Sequence, residues 1–164
     1  MRLKPIRTAR IDEAPSLTRL SVDAAKSLPR YDDALLERHA PALEIDLPLL
    51  SSGLTYVAEA EDGSLLGVMA LAPTTLAGFV LLERLFVDPR FHRIGIGTEL
   101  FSYAVDRANR LRRSVMVIYA HPAAAGFYTR LGAIEIGVHP FHLSPEIKMP
   151  ILVRSIPSSE TSPG

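Results

Sequence analysis

The sequence predicts one mixed α/β domain with about seven strands and intervening helices. Three observations carry this. Apolar runs of strand length alternate with stripes spaced three or four residues apart, as on a helix face. The 164 residues suit a single core. Hydrophobic residues make up 48% and charged residues 22%, an ordinary globular composition.

Taken in order, LKPIRTAR (3–10) alternates as a first strand, and Asp12 is the expected N-cap of a helix carrying Leu17, Leu20 and Ala24. Residues 27–50 hold Pro29, Pro41 and Pro48 among scattered apolar positions, which suggests a short helix and loops, a segment able to shape a pocket. LTYVAEAEDGSLLGVMALAP reads as a hairpin turning at Asp62-Gly63. GFVLLERLFV is the next strand, ended by Asp88-Pro89, and residues 76–82 read as a core strand. A helix begins near Gly97, with Leu100, Ala104, Ala108 and Leu111 on one stripe. SVMVIYA is a continuous apolar run, as in a strand covered on both faces. After His121-Pro122 comes the helix AAAGFYTRL, stopped by Gly132, and AIEIGV and IKMPILVRSI close the sheet. The domain spans 1–156; the tail PSSETSPG (157–164) has nothing to bury and is expected to be disordered.

Eighteen basic residues balance eighteen acidic ones, so no overall field points to nucleic acid. With no cysteine, the chain has no disulfide frame, zinc–thiolate site or thiol nucleophile. MRLKPIRTARIDE lacks the apolar core of a signal peptide. The charge-free stretch 63–82 contains Pro73 and three glycines, and reads as two strands with their connection, not as a membrane span. A cytoplasmic protein without a membrane partner is expected.

The chemistry concentrates in PRFHRIGIGTELF (89–101), where Gly95 and Gly97 lie between a strand and a helix. A Walker loop would need Lys-Ser or Lys-Thr after its last glycine, where Thr98-Glu99 stands; a dinucleotide fingerprint would need a third glycine at Leu100. A third design remains, in which the main-chain N–H groups of Arg93, Ile94, Gly95, Ile96, Gly97 and Thr98 curl around a pyrophosphate at the helix start.

At this point the chain resembles the GNAT family of N-acetyltransferases. Their signature is Gln or Arg, two residues, Gly, one residue, then Gly or Ala, after a strand ending apolar-apolar-Val-x-Pro. LFVDPRFHRIGIG follows it, with His92 in the first position and Arg93 where a further glycine is common. HPAAAGFYTRLGA is similar to the family's second motif, with His121 for Asn and Ala133 for Phe, and with Ala124, Phe127, Tyr128 and Gly132 in register. The element order follows the family over 3–156, and the motifs are specific over 85–132.

The resemblance implies a mixed central sheet and acetyl-CoA as cosubstrate, held between the fourth and fifth strands. It implies that Leu85 and Val87 hold the pantetheine arm through the main chain, and that an N–H near Phe86 polarises the thioester carbonyl. Without a cysteine, direct transfer to an amine in a ternary complex is the simplest route. Glu83 is the candidate general base, its plainer reading being a solvated carboxylate paired with Arg84. Tyr128 is the candidate acid at the leaving thiolate, its plainer reading being a core aromatic.

Arg90 and Arg93 are either CoA phosphate contacts or solvated loop charges, Arg93 being the better contact. Thr98 bonds a phosphate or caps its helix, and His121 orients cofactor or relays protons. His139 and His142 lack a third ligand at suitable spacing, so no metal is expected. The reading is an acetyl-CoA-dependent N-acetyltransferase acting on a small-molecule or peptide amine, and a homodimer is compatible with it. The alternatives are a catalytically silent acyl-CoA-binding module and an acyltransferase with another acyl chain or acceptor.

Overall fold

The computed structural model describes residues 2–158; most of the tail expected to be disordered therefore lies outside the described residues. Of the expected first strand only β1 (Arg7–Thr8) pairs as a strand, with a separate bridge from Leu3 to Ala60 on the far side of Pro5. Proline has no N–H to give a ladder, so the pairing is interrupted there. The sheet's neighbour then leads into helix α1 (Ala14–Lys26), which buries Leu17, Leu20 and Ala24 as its stripe predicts. Asp12 is not the N-cap. It sits inside a 3-10 turn (Ile11–Glu13), and Glu13 accepts the Arg10 N–H at 2.7 Å instead.

Residues 27–50, expected as a short helix with loops, hold two helices, α2 (Asp33–Leu43) and α3 (Leu47–Ser51). Asp32 and Asp46 cap them, accepting from Leu35 N at 2.8 Å and Leu49 N at 2.9 Å. Pro48 falls in the first turn of α3, where its missing N–H costs nothing, and Pro41 is tolerated near the end of α2.

Strands β2 (Thr55–Glu59) and β3 (Leu65–Pro73) form the hairpin around Asp62-Gly63. β4 (Phe79–Val87) pairs antiparallel with β3. The core strand expected over 76–82 starts later: Leu76 is 62% exposed in the preceding turn. Helix α4 (Ile96–Arg110) buries Leu100, Ala104 and Ala108, and β5 (Val115–Tyr119) follows. In β5, Met116 and Ile118 are buried, but Tyr119 is 46% exposed, so its cover on both faces is incomplete. Helix α5 (Ala125–Arg130) is preceded by a 3-10 turn started by Pro122. Strands β6 (Ile134–Phe141) and β7 (Ser144–Ser155) end the sheet and run longer than the sequence suggests. Pro140 is accommodated because β6 is an edge strand.

The seven strands form one sheet in the order β1-β2-β3-β4-β5-β7-β6, with β4 and β5 parallel and every other pair antiparallel. Alternate residues feed two cores. Val57 and Val68 pack with Leu17, Leu20, Ile45 and Leu50; Tyr56, Met69, Met116 and Ile118 pack with Leu100, Ala104 and Tyr128. Helices thus cover both faces of a mixed sheet, as the resemblance implies.

Candidate active site

The parallel pair at the centre of the sheet is short. β4 meets β5 only from Phe79–Val115 to Leu81–Val117, and beyond Leu81 no pairing joins them. A bulge at this point leaves Glu83 without a partner on β3, where the register passes from Leu82 opposite Leu71 to Arg84 opposite Ala70. The strands part, and a cavity of about 1270 Å³ opens between them.

One end of this cavity is the turn before α4. Gly95 is the N-cap at φ +92°, and Arg93 also has positive φ, +62°. A side chain at Gly95 would have open space around it but a backbone conformation that favours glycine. Gly97 differs: an added Cβ would lie 3.3 Å from the Phe127 ring and 3.6 Å from Val87. It is therefore needed where α4 approaches α5, as well as wherever a ligand would approach. Among the described residues, none of the main-chain N–H groups from Arg93 to Thr98 donates to a protein acceptor. A curled run of unpaired N–H groups at the positive end of a fifteen-residue helix is suited to an anion.

His92 is exposed and its Nε2–H donates to the Val87 carbonyl at 3.0 Å. Ile94 is exposed and does not line the cavity, whereas Leu85, Phe86, Val87, His92, Arg93, Gly95, Ile96, Gly97 and Thr98 do. Thr98 does not cap its helix, for α4 has no side-chain cap. Arg90 turns away to bond Asp88 at 2.6 Å, while Arg130, which the sequence reading did not single out, lines the cavity.

The β4 wall carries Glu83 and Arg84, joined at 2.8 Å through Oε1; Oε2 has no protein partner among the described residues. Arg84 Nε is buried without a partner. The opposite wall carries His121, Ala124, Phe127 and Tyr128. Tyr128 is 7% exposed and packs on Phe101 and Phe127, at ring distances of 5.6 and 5.0 Å. Burial pushes its phenol above the ordinary range. Among the described residues its hydroxyl has no protein partner, it is not sealed off from solvent, and Tyr128 lines the cavity. His121 Nδ1 accepts the Ala123 N–H at 3.0 Å, capping the 3-10 turn, and burial pushes this imidazole down, towards its neutral form.

A third wall was not legible in the sequence. Tyr31, before α2, bonds His39 Nδ1, and His39 Nε2 lies 3.0 Å from Ser144 Oγ on β7. The partners His39 and Ser144 are far apart in sequence, and no local spacing relates them. Among the described residues no group of three or more His, Cys, Asp or Glu is placed to hold a metal ion, and His139 is turned to bond the Pro140 carbonyl. No helix among them is long and apolar enough to cross a membrane.

Comparison with known proteins gives a consistent answer. The family model of the acetyltransferase (GNAT) domain matches residues 51–132. Among solved structures, the PaiA N-acetyltransferase of Thermoplasma acidophilum in complex with coenzyme A is similar, with TM-score 0.75 and 20% identity over 94% of this chain and 99% of that one. Ard1 from Thermoplasma volcanium gives TM-score 0.72 at 19% identity, over 96% of this chain and 100% of that one. YncA from Salmonella typhimurium, with its cofactor acetyl-CoA, gives 0.69 at 18% identity, over 100% of this chain and 99% of that one. At such identities these likenesses speak for the fold. No curated protein matches the sequence significantly.

Proposed function

Because the chain belongs to the GNAT acetyltransferase family, we propose that it moves an acetyl group from acetyl-CoA to a primary amine by direct transfer in a ternary complex. The observation that carries this reading is the run of unpaired N–H groups from Arg93 to Thr98 at the mouth of the parted strands. It suits a pyrophosphate, and the cavity beyond it is large enough for a pantetheine arm and an acceptor. Coenzyme A or acetyl-CoA accompanies two of the similar structures, which adds support for the cosubstrate.

Bound acetyl-CoA supplies an activated thioester whose C–S bond breaks as the new C–N bond forms. Leu85 and Val87 hold the arm through β4 groups that face away from β3 and have no strand on the β5 side. One of their N–H groups, next to Phe86, polarises the carbonyl; the Phe86 N–H itself faces β3. His92 already occupies the Val87 carbonyl, which leaves the Val87 contribution to its N–H or to a shift of the His92 ring. Arg93 and Arg130 supply positive charge near the phosphates. Glu83 takes the proton of the attacking ammonium through its free Oε2, directly or by water.

Tyr128 meets the sulfur. An ordinary phenol near pKa 10 already gives its proton uphill to a thiolate near 8.5, and burial widens the gap. Tyr128 therefore stabilises the leaving sulfur by a hydrogen bond without surrendering its proton, and the second proton that the nitrogen loses as the amide forms neutralises the thiolate to CoA thiol. The lack of a protein partner for the Tyr128 hydroxyl among the described residues leaves that hydrogen bond free for the reaction.

The test is release of CoA thiol across a broad panel of amines, with coenzyme A affinity measured separately by calorimetry. Amine-dependent thiol release is expected. Coenzyme A binding with no release from any amine would favour the silent module. With an active amine found, Glu83→Gln should lower the rate about tenfold or more below the amine's pKa and less above it, since free amine needs no base. An unchanged rate and pH profile would remove Glu83 from the role.

A further inference from the structure

The wall that carries Tyr31 and His39, backed by the buried Ser144, has a direction built into it. Ser144 is fully buried and among the described residues its hydroxyl has one protein partner, His39 Nε2, at 3.0 Å. His39 is 4% exposed, and burial pushes its imidazole down, so it is neutral and carries a single N–H. Were that proton on Nε2, the Ser144 O–H would be a buried donor with no acceptor. With the proton on Nδ1, Ser144 donates to Nε2, and Nδ1–H donates to the Tyr31 oxygen. The chain of bonds then runs outward and ends on the Tyr31 O–H, which has no protein acceptor among the described residues and lines the cavity. Burial pushes the Tyr31 phenol up to about 12, so it keeps that proton.

Its neighbour is fixed in the same sense. His121 Nδ1 accepts from Ala123, so its neutral ring holds the proton on Nε2, again with no protein acceptor among the described residues. The Tyr31 and His121 rings are 6.4 Å apart. Two oriented donors thus face one part of the cavity, on elements other than the turn before α4.

We propose that Tyr31, set as a donor by His39 and Ser144, and His121 beside it recognise an oxygen acceptor on the amine substrate, so that the preferred substrates are amines bearing a carboxylate or carbonyl group. Tyr31 and His121 touch the substrate; His39 and Ser144 are positioning residues. This rests on the acetyl-transfer reading for the word substrate, but the binding preference holds for the coenzyme A complex whether or not transfer follows. A site that donates to a substrate oxygen discriminates strongly against analogues without it, because its donors are then left unpaired.

The test uses matched sets of primary amines, each set ending in a carboxylate, a carboxamide or a methyl group at equal chain length. Affinity for the full-length protein loaded with coenzyme A is read by calorimetry, and thiol release from acetyl-CoA is read in parallel. The oxygen-bearing members are expected to bind about ten- to a hundredfold more tightly than the methyl-terminated ones. Tyr31→Phe should bring that ratio to within about threefold. Ser144→Ala, a near-isosteric change, should reduce it partially by freeing His39 to take the other tautomer. Circular dichroism checks the folding of both variants, and if Tyr31→Phe unfolds, the Ser144→Ala ratio decides. A wild-type ratio near one, or a ratio unmoved in the folded variants, overturns the proposal. Thiol release without preference would sink this inference and leave acetyl transfer standing. Preference without thiol release would do the reverse.

Discussion

The corner where β1 meets β2 and the walls of the cavity both gather polar side chains, and they are built in opposite ways. At the corner, Arg7 bonds Glu13 at 2.7 Å and Glu59 at 2.6 Å, Lys4 reaches Glu59 at 2.7 Å, and Arg10 reaches Glu13 at 3.0 Å. All four carboxylate oxygens of Glu13 and Glu59 are satisfied. In the cavity the Tyr128 hydroxyl, Glu83 Oε2, His121 Nε2 and the N–H groups from Arg93 to Thr98 have no protein partner among the described residues. A folded chain pairs its buried polar groups wherever it can. The side-chain groups left in the cavity are instead open to solvent, so a ligand can take them without breaking a bond within the protein.

The sharpest break of this comparison is at Tyr128. Tyr128→Phe removes a hydroxyl that bonds nothing among the described residues, so stability against denaturant should stay within about 0.5 kcal/mol. The kcat should fall about ten- to a thousandfold, the span usual for a positioned acid. Coenzyme A affinity should hardly change, because the ring remains. A variant with normal kcat and lost stability would make Tyr128 a core aromatic like Phe101.

At the corner the signs reverse. Arg7→Met leaves Glu59 only Lys4 and Glu13 only Arg10, and should cost about 1–2 kcal/mol of stability, read by chemical denaturation, with coenzyme A affinity unchanged. The Arg7 hydrogen bond holds Glu13 below its ordinary 4.5, and the Lys4 bond, followed by that of Arg7, does the same for Glu59. Folded-state values below the unfolded ones mean that this stabilisation is complete above about pH 4.5. It is lost as the pH falls through the lowered values. The acid limb of a stability–pH curve should therefore flatten in Arg7→Met. An unchanged limb would show that the pairs contribute nothing net.

The same contrast explains how far the sequence could be read. The hairpin at Asp62-Gly63, the strand stopped by Pro89 and the stripe of Leu100, Ala104 and Ala108 are local patterns, and each appears as expected. The prolines of residues 27–50 look like loop signals, whereas Pro48 sits in the first turn of α3 and Pro41 in the last turn of α2. Asp12 has the residue type of a cap, but Glu13 reaches both Arg7 and the Arg10 N–H, a bonus that depends on β1 folding nearby. Tyr31, His39 and Ser144 meet only when α2 and β7 come together. The resemblance to GNAT enzymes reached the turn before α4 and the α5 motif because those segments are contiguous; the remaining wall is assembled from separated pieces.

The smallest expected effect separates the two uses of Gly97. If the glycine serves the ligand, Gly97→Ala should weaken coenzyme A binding about tenfold, or about 1.4 kcal/mol. Yet its new Cβ would also press on Phe127, 3.3 Å away, and a shifted ring could deform the cavity without touching the ligand. Phe127→Leu removes the atoms responsible and serves as the background in which to repeat the change. Should Gly97→Ala still lose about tenfold relative to Phe127→Leu alone, the methyl itself obstructs the anion. Should the second loss vanish, the two residues are coupled and the glycine exists for the packing of α4 on α5. Gly95→Ala gives the contrasting control, for its Cβ meets nothing within 4 Å and its φ of +92° alone is disfavoured. That strain, of order 1 kcal/mol, should appear in stability as well as in affinity. The anion-binding reading predicts the loss at Gly97 to persist in affinity in both backgrounds, and calorimetry on the four variants measures it.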